Sequence, residues 1–129
     1  MNVREWKRIA EKEVLRDGDR RAFMKGVEDA GGLKTERYLT CRRWVNAVDA
    51  VCAFLREHDP EKERFFRAYY GIGAPRIRCA KDGTVAVSMQ LNVSRTTVYQ
   101  WRGEVMTLVL LAAVQNGLFN PLCIKETNA

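Results

Sequence analysis

The sequence predicts an all-α protein, a helical bundle with a helix-turn-helix near its C-terminus. Apolar residues recur at intervals of three and four over most of the 129 residues, which is the period of an amphipathic helix. Glycine, proline and small polar residues separate these stretches at positions where helices begin and end. A chain of this length suits one domain, or one small domain with an appendage.

The first two helices are predicted from their apolar faces and their glycines. The segment Asn2 to Arg16 carries an apolar residue at each turn, and Gly18 is expected to close it. Asp19 is expected to cap a second helix, which the pair Gly31 and Gly32 stops. Both helices would present one apolar face to a common core.

Two further helices are predicted in the middle of the chain. Thr35 begins a long one, with an apolar stripe formed by Cys41, Trp44, Val45, Val48, Cys52 and Leu55. Asp59 suits the N-cap position and Pro60 the first helical position, so another helix begins there and ends at Gly71. Its aromatic residues are expected in the core, and they are Phe65, Phe66, Tyr69 and Tyr70.

The C-terminal half is predicted to hold a loop followed by two helices. Residues 71–83 contain glycines, a proline and alternating arginines, which favour an extended loop or a brief hairpin. A short helix from Thr84 to Leu91 and a long one from Arg95 to Asn116 follow, and Gly117 terminates the second. The chain is accordingly divided into a helical scaffold, a helix-turn-helix module and a tail, at residues 1–57, 58–119 and 120–129.

The net charge is +6, and the excess of basic residues is concentrated in one segment. Between Arg64 and Arg102 a single acid, Asp82, stands against seven basic residues, which are Arg64, Arg67, Arg76, Arg78, Lys81, Arg95 and Arg102. The difference of six equals the net charge of the whole chain, so the remaining residues carry equal numbers of positive and negative charges. This distribution favours a polyanionic partner, with an ordinary solvated basic surface as the alternative.

Residues 84–102, TVAVSMQLNVSRTTVYQWR, have the spacing of a helix-turn-helix. Asn92 tolerates the left-handed conformation expected at the turn. Ser94 is placed to cap the second helix by accepting a hydrogen bond from the amide of Thr97. Ser88 is small enough for two helices to approach closely at that point. The side chains expected to pack the two helices together are Val87, Leu91, Val93, Val98 and Trp101.

The second of these helices is predicted to expose a polar face, because Val98 and Trp101 point inward. A recognition helix presents its N-terminal residues to base edges in the major groove. The side chains expected to point outward from the first two turns are Arg95, Thr96, Tyr99, Gln100 and Gly103. An ordinary helical hairpin without a nucleic-acid partner is the alternative.

Specific contacts follow from the chemistry of these side chains. Arg95 can bond both acceptors of a guanine, Gln100 can contact adenine, and the Thr96 methyl can touch thymine. The free amides around Ser94 and Thr97 are suited to a phosphate at the positive end of the helix. Gly103 would let the backbone approach the sugar-phosphate chain, and Arg102 completes the predicted DNA-binding set on this helix.

A known family shares these motifs. The stretch LREHDPEKERFFRAYYGI, followed by TVAVSMQLNVSRTTVYQW, resembles the fourth region of bacterial sigma factors, in which a helix ending in aromatic-Tyr-Gly leads to a helix-turn-helix containing Val-Ser-Arg. The resemblance covers about residues 48–114 and implies an all-helical DNA-binding module. The wider order of elements is similar to that of phage transcriptional activators of the RinA and ArpU type, small bacteriophage or prophage proteins that switch on late genes.

Basic residues outside the recognition helix are expected to contact the DNA backbone. Arg76, Arg78 and Lys81 lie on the loop before the helix-turn-helix, where they are assigned phosphate or minor-groove contacts, with a solvated loop as the alternative. In the sigma-like arrangement, Arg64 and Arg67 lie on the supporting helix and can touch the backbone. Each phosphate contact would steepen the salt dependence by about one unit of slope.

Nothing in the sequence indicates an enzyme, a metal site or a cofactor. His58 is the single histidine, has no second ligand at metal spacing, and is expected to interact with carbonyls at a helix end. No apolar run is long enough to span a bilayer, and the charged N-terminus lacks a secretory signal. Without a CxxC pair, reduced and mostly buried thiols in a cytoplasmic protein are expected of Cys41, Cys52, Cys79 and Cys123.

These residues predict a cytoplasmic, sequence-specific DNA-binding transcriptional regulator, with a phage or prophage late-gene activator as the favoured kind. Double-stranded DNA is the expected partner, and a homodimer is favoured because helix-turn-helix units usually work in pairs. Residues 1–57 are expected either to dimerise or to contact RNA polymerase. Two alternatives stay open: a small-terminase-like DNA-packaging protein, which would form a ring of many subunits, and an adaptor that binds polymerase through protein contacts alone.

Overall fold

The structure, a computed structural model, describes residues 2–73 and 83–120. Within these ranges the chain forms helices and no strand, which confirms the all-α prediction. Most of the predicted loop and nearly all of the predicted tail lie outside the described residues. The described helices are α1 (Val3–Val14), α2 (Asp17–Asp29), α3 (Glu36–His58), α4 (Pro60–Tyr70), α5 (Gly83–Leu91) and α6 (Arg95–Gln115).

Helix α3 is the longest element, with 23 residues, and it packs against α1, α2, α4 and α6. Its predicted apolar stripe is buried from Trp44 to Leu55, whereas Cys41 at the start of the stripe is half-buried. Helix α5 packs on α4 and α6. One buried cluster contains side chains from α1, α3, α4, α5 and α6, so residues 1–57 and 58–119 share their hydrophobic core.

The ends of α3 and α4 follow the predicted capping. The Thr35 hydroxyl accepts a hydrogen bond from the amide of the third residue of α3. The Asp59 carboxylate accepts one from the amide of Lys62 at 3.2 Å, and Pro60 takes the first helical position. Gly71, with φ of 73°, supplies the left-handed residue that ends α4. These predicted boundaries are confirmed.

The junction of α1 and α2 differs from the prediction. Helix α2 already begins at Asp17, so Gly18 does not close the first helix and Asp19 does not cap the second. Arg16 occupies the N-cap position without a side-chain cap. The side chain of Asp17 is buried and ion-paired with Arg21 at 2.7 Å, and burial raises the pKa of this carboxyl group. Asp17 and Asp19 in the first turn lie at the positive end of the helix dipole, where a negative charge is favoured.

Helix α1 runs antiparallel to α6 and closes the bundle. Trp6 near the start of α1 stacks on Phe119 beyond the end of α6, with 5.2 Å between the ring centroids. Trp44 of α3 meets the same phenyl ring edge-on at 5.8 Å. At the other end, Glu11 of α1 contacts Arg102 near the start of α6. The N-terminal helix therefore lies beside the helix that was predicted to bind DNA.

The remaining predictions for single residues concern thiols, the histidine and the aromatic groups. Cys41 and Cys52 are free thiols, and burial raises the pKa of Cys52 to about 11. Cys79 and Cys123 lie outside the described residues. His58 occupies the last turn of α3, where its ring packs on Phe54 with 4.5 Å between centroids. The aromatic core prediction for α4 is confirmed, because each of these side chains is buried: Phe65, Phe66, Tyr69 and Tyr70.

Candidate nucleic-acid interface

A tight turn joins α5 to α6. Asn92 adopts a φ of 56°, the left-handed conformation that was predicted for it. The amide of Val93 donates a hydrogen bond to the Ser88 carbonyl at 3.1 Å, and the Ser88 hydroxyl donates one back to the Val93 carbonyl. These two bonds fix the direction in which α6 leaves the turn. Ser88 therefore contributes both its hydroxyl group and its carbonyl group to the turn.

The first turn of α6 is capped as predicted. The Ser94 backbone is extended, and its hydroxyl oxygen accepts a hydrogen bond from the Thr97 amide at 3.0 Å. The Thr97 hydroxyl lies 2.8 Å from the same oxygen. The cap leaves the other amides of the first turn directed outward at the positive end of the helix.

The apolar side of α6 is anchored on α4 and α5. Val98 and Val87 are fully buried, and half-buried Leu91 packs against the same core. Trp101 is half-buried and meets the ring of Phe65 edge-on at 5.7 Å. Because these contacts fix the rotation of α6 about its axis, they also fix which of its residues face solvent.

The opposite side of α6 forms a surface that we call the polar ridge, made of Arg95, Thr96, Tyr99, Gln100 and Gly103. Each of these residues is exposed, and Tyr99 has 51% of its surface accessible. The Arg95 side chain makes no ion pair with the residues that the structure describes. The N-terminal helices leave the polar ridge open to solvent, so its side chains can contact a partner without a rearrangement of the bundle.

One residue of the polar ridge is tied to α4 through an acid. The Gln100 side-chain amide donates a hydrogen bond to Glu104 at 3.1 Å. Glu104 also pairs with Lys62 of α4, with 2.6 Å between the charged atoms. The hydrogen bond from Lys62 lowers the pKa of Glu104. Because the Gln100 amide is exposed, replacing its hydrogen bond to Glu104 by one to a binding partner should cost little free energy.

Arg102 lies at the edge of the polar ridge and is half-buried. Its guanidinium group donates to the Glu11 carboxylate and lies 5.3 Å from the centroid of the Tyr69 ring. Although burial disfavours the charged form, the Glu11 carboxylate outweighs it and raises the pKa of Arg102. The Tyr70 hydroxyl donates to the same carboxylate at 2.6 Å. Arg102, a predicted DNA contact, is therefore already engaged with α1.

The other predicted cations differ in their surroundings. Arg64 of α4 is exposed. Arg67 pairs with Glu63, with 3.2 Å between Nε and the carboxylate oxygen. The loop cations Arg76, Arg78 and Lys81 lie outside the described residues.

Sequence reasoning missed a group of basic residues on α1. A groove between α1 and α6, which we call the α1–α6 groove, is lined by Arg4, Lys7, Arg8, Glu11, Tyr99, Arg102, Gly103 and Met106. It therefore joins two residues of the polar ridge to three cations of the N-terminal helix. The spacing of Arg4, Lys7 and Arg8 on one side of a helix was visible in the sequence. Its position beside α6 was not, because the contacting residues Glu11 and Arg102 are 91 positions apart in the chain.

No family model, curated protein sequence or solved structure matches the chain. Among the residues that the structure describes, no group of three or more His, Cys, Asp or Glu side chains is arranged to hold a metal ion. The described helices also include none with the length and hydropathy of a membrane span.

Proposed function

We propose that this chain is a sequence-specific DNA-binding transcriptional regulator in which α5 and α6 act as a helix-turn-helix. The observation that carries the proposal is the polar ridge, which is exposed along one side of a capped and firmly packed helix. An α-helix with its side chains is about 10–12 Å across, which fits the roughly 12 Å width of the major groove. Helix α4 and the buried side of α5 would hold α6 in place while it enters the groove.

Base contacts would come from three residues of the polar ridge. Arg95 is exposed and can donate both of its terminal nitrogens to a guanine. Gln100 can contact adenine after it releases Glu104, and the Thr96 methyl can pack on thymine. Tyr99 and Gly103 lie on the side of the polar ridge that borders the α1–α6 groove, where the sugar-phosphate chain would pass.

Backbone contacts would come from the start of α6 and from neighbouring cations. Amides of the first turn next to Ser94 suit a phosphate at the positive helix end. Arg64 of α4 is exposed and available for a similar contact. We extend the proposal to the loop residues Arg76, Arg78 and Lys81 on the strength of their charge and their position in the sequence.

The sigma-like sequence pattern leads us to propose a phage or prophage activator of late genes as the biological setting. The capped α6, the left-handed Asn92 and the buried aromatic residues of α4 are features that such a module would need. A homodimer on two half-sites is the proposed active form, with RNA polymerase as a further proposed partner. Light scattering on the protein bound to DNA should then give two subunits per duplex, whereas a ring of many subunits would favour a packaging protein.

The experiment that tests the proposal starts from in vitro selection of bound duplexes. Binding of the selected duplex is then measured for Arg95→Ala and Gln100→Ala. Loss of one base contact costs about 1–3 kcal/mol, which corresponds to roughly 5- to 150-fold weaker binding. Two exposed residues outside the polar ridge provide matched controls, Arg43→Ala on α3 and Gln115→Ala at the end of α6. If Arg95→Ala and Gln100→Ala bind the selected duplex as tightly as the wild type, the proposed role of α6 is wrong.

A further inference from the structure

We propose that α1 makes a second, sequence-independent contact with DNA, in which Arg4, Lys7 and Arg8 bind phosphates beside the major groove that α6 occupies. This inference rests on the proposed function, because it takes the position of the duplex from the polar ridge. It adds a binding surface in the scaffold segment, far in sequence from the helix-turn-helix. Four observations on α1 and its groove support it.

Each acid of α1 accepts a hydrogen bond from another group of the protein. Glu5 forms a capping box with Asn2, in which the Glu5 carboxylate accepts a hydrogen bond from the Asn2 backbone amide at 3.3 Å. Glu11 accepts hydrogen bonds from Tyr70 and Arg102. Glu13 accepts from Arg20, which is largely buried.

The three cations of α1 that line the groove differ from these acids. Within the described part of the chain, no ion pair involves Arg4, Lys7 or Arg8. Arg4 and Arg8 are exposed and Lys7 is half-buried. The positive and negative charges of α1 are nearly equal in number, but its folded arrangement leaves a positive face exposed. Such a face attracts a polyanion.

The position of this face matches the path of a DNA strand. Because α1 is antiparallel to α6 and Glu11 meets Arg102, the cations extend from the edge of the polar ridge along the side of α6. The α-carbons of Arg4 and Arg8 are about 6 Å apart along the helix axis. Phosphates of one strand follow each other at about 3.4 Å along the duplex axis and are farther apart along the strand itself, so Arg4 and Arg8 are spaced on the scale of neighbouring phosphates.

The floor of the α1–α6 groove favours close approach of a backbone. Gly103 lies there, and a Cβ atom added to it would meet no atom within 4 Å. Packing within the protein therefore does not require glycine at this position, although glycine inside a helix costs about 1 kcal/mol relative to alanine. An external chain that passes over α6 at Gly103 would account for the missing side chain and would bring its phosphates to α1.

The salt dependence of binding tests this inference. The triple variant Arg4→Gln/Lys7→Gln/Arg8→Gln is compared with Lys25→Gln/Arg42→Gln/Arg43→Gln, which removes the same charge from exposed positions on α2 and α3. For the α1 variant the slope of log K against log salt should become shallower by about 2–3 units, because each phosphate contact contributes about 0.9. The triple variant on α2 and α3 should change this slope by less than about one unit.

The outcomes separate the two proposals. If the wild type binds no duplex after selection, the proposed function fails and this inference fails with it. If the wild type binds but both triple variants change the slope equally, α1 makes no specific phosphate contact and the role of α6 is unaffected.

A second readout needs no variant. Acetylation of Lys7 by a small reagent should slow at least several-fold when a saturating duplex is added, while acetylation of the exposed Lys25 on α2 should not change. Mass spectrometry of the same sample reports both rates. Equal reactivity of Lys7 with and without DNA would overturn the α1 contact even if the polar ridge binds as proposed.

Discussion

Arg102 in the last helix donates a hydrogen bond to Glu11 in the first, with 3.1 Å between Nη2 and the carboxylate oxygen. The two residues are 91 positions apart in the chain. Tyr70 completes the arrangement by donating its hydroxyl proton to the same carboxylate, and burial raises the pKa of this hydroxyl, which keeps it a donor. The contact joins the scaffold to the proposed recognition helix and places a negative charge beside the proposed phosphate-binding surface.

The Glu11→Gln substitution should therefore change stability and DNA binding in opposite directions. The variant loses the charge that compensates half-buried Arg102, so its free energy of unfolding should fall by about 1–2 kcal/mol. Removal of a carboxylate from the groove should strengthen DNA binding and steepen the salt dependence by about one unit. Urea unfolding and fluorescence anisotropy measure the two effects.

The exposed Glu57→Gln variant, which removes the same charge from the last turns of α3, is the control. It should leave both quantities close to those of the wild type. Weaker DNA binding by a folded Glu11→Gln variant would contradict the proposed position of the DNA.

Gly103→Ala should likewise separate stability from binding. In the free protein the added methyl group enters open space, so the variant should be more stable by up to about 1 kcal/mol. On DNA the same methyl group would lie under the sugar-phosphate chain and weaken binding. The matched control is Gly26→Ala in α2, where a Cβ atom also meets nothing within 4 Å. Gly26→Ala should stabilise the protein and leave binding unchanged; a similar result for Gly103→Ala would remove Gly103 from the interface.

The cap of α6 makes a separate prediction about stability. Ser94→Ala removes the acceptor for the Thr97 amide and should lower the free energy of unfolding by about 1 kcal/mol. Ser94→Thr keeps a hydroxyl oxygen at the same place, so its free energy of unfolding should fall much less. Urea denaturation at neutral pH measures both variants. If Ser94→Ala is as stable as the wild type, the hydrogen bond seen at 3.0 Å does not stabilise the start of α6.

The ion pair between Lys62 of α4 and Glu104 of α6 predicts that the stability of the protein depends on pH. Glu104 has its pKa lowered below the ordinary value of 4.5, chiefly by the hydrogen bond from Lys62. For an acid with a lowered pKa in the folded state, the stabilisation is present above the unfolded value and disappears as the pH falls through the folded value. Between pH 6 and pH 3, Glu104→Gln should therefore lose less stability than the wild type. An identical acid profile for the two proteins would contradict this role of the ion pair.

Local chemistry made much of the fold predictable from the sequence. Asn92, Ser94, Asp59 and Gly71 each perform the turn or cap function that their side chains or backbone freedom suggest, since such functions depend on residues within four positions. The same reasoning was wrong at the first helix junction. Gly18 and Asp19 suggested the end of one helix and the start of the next, but α2 begins at Asp17, whose buried side chain pairs with Arg21 one turn along the same helix.

The candidate site was only partly predictable, because part of it is assembled from distant segments. The exposure of the polar ridge followed from the inward direction of Val98 and Trp101 on one helix. The pairing of Arg102 with Glu11 and the approach of the α1 cations depend on how α1 packs against α6, which no local pattern indicates. Counting charges by sequence segment also hid the positive face of α1, because Glu11 and Glu13 pair with residues of other helices.

The most direct test of the central claim is to map DNA binding on the amide resonances of the protein by NMR. A selected duplex should produce its largest shifts in residues 94–103, with smaller shifts at Lys7 and Arg8 and little change in α2. Shifts concentrated in α2 and α3, with residues 94–103 unaffected at saturating DNA, would contradict the proposal that the polar ridge of α6 is the DNA-binding surface.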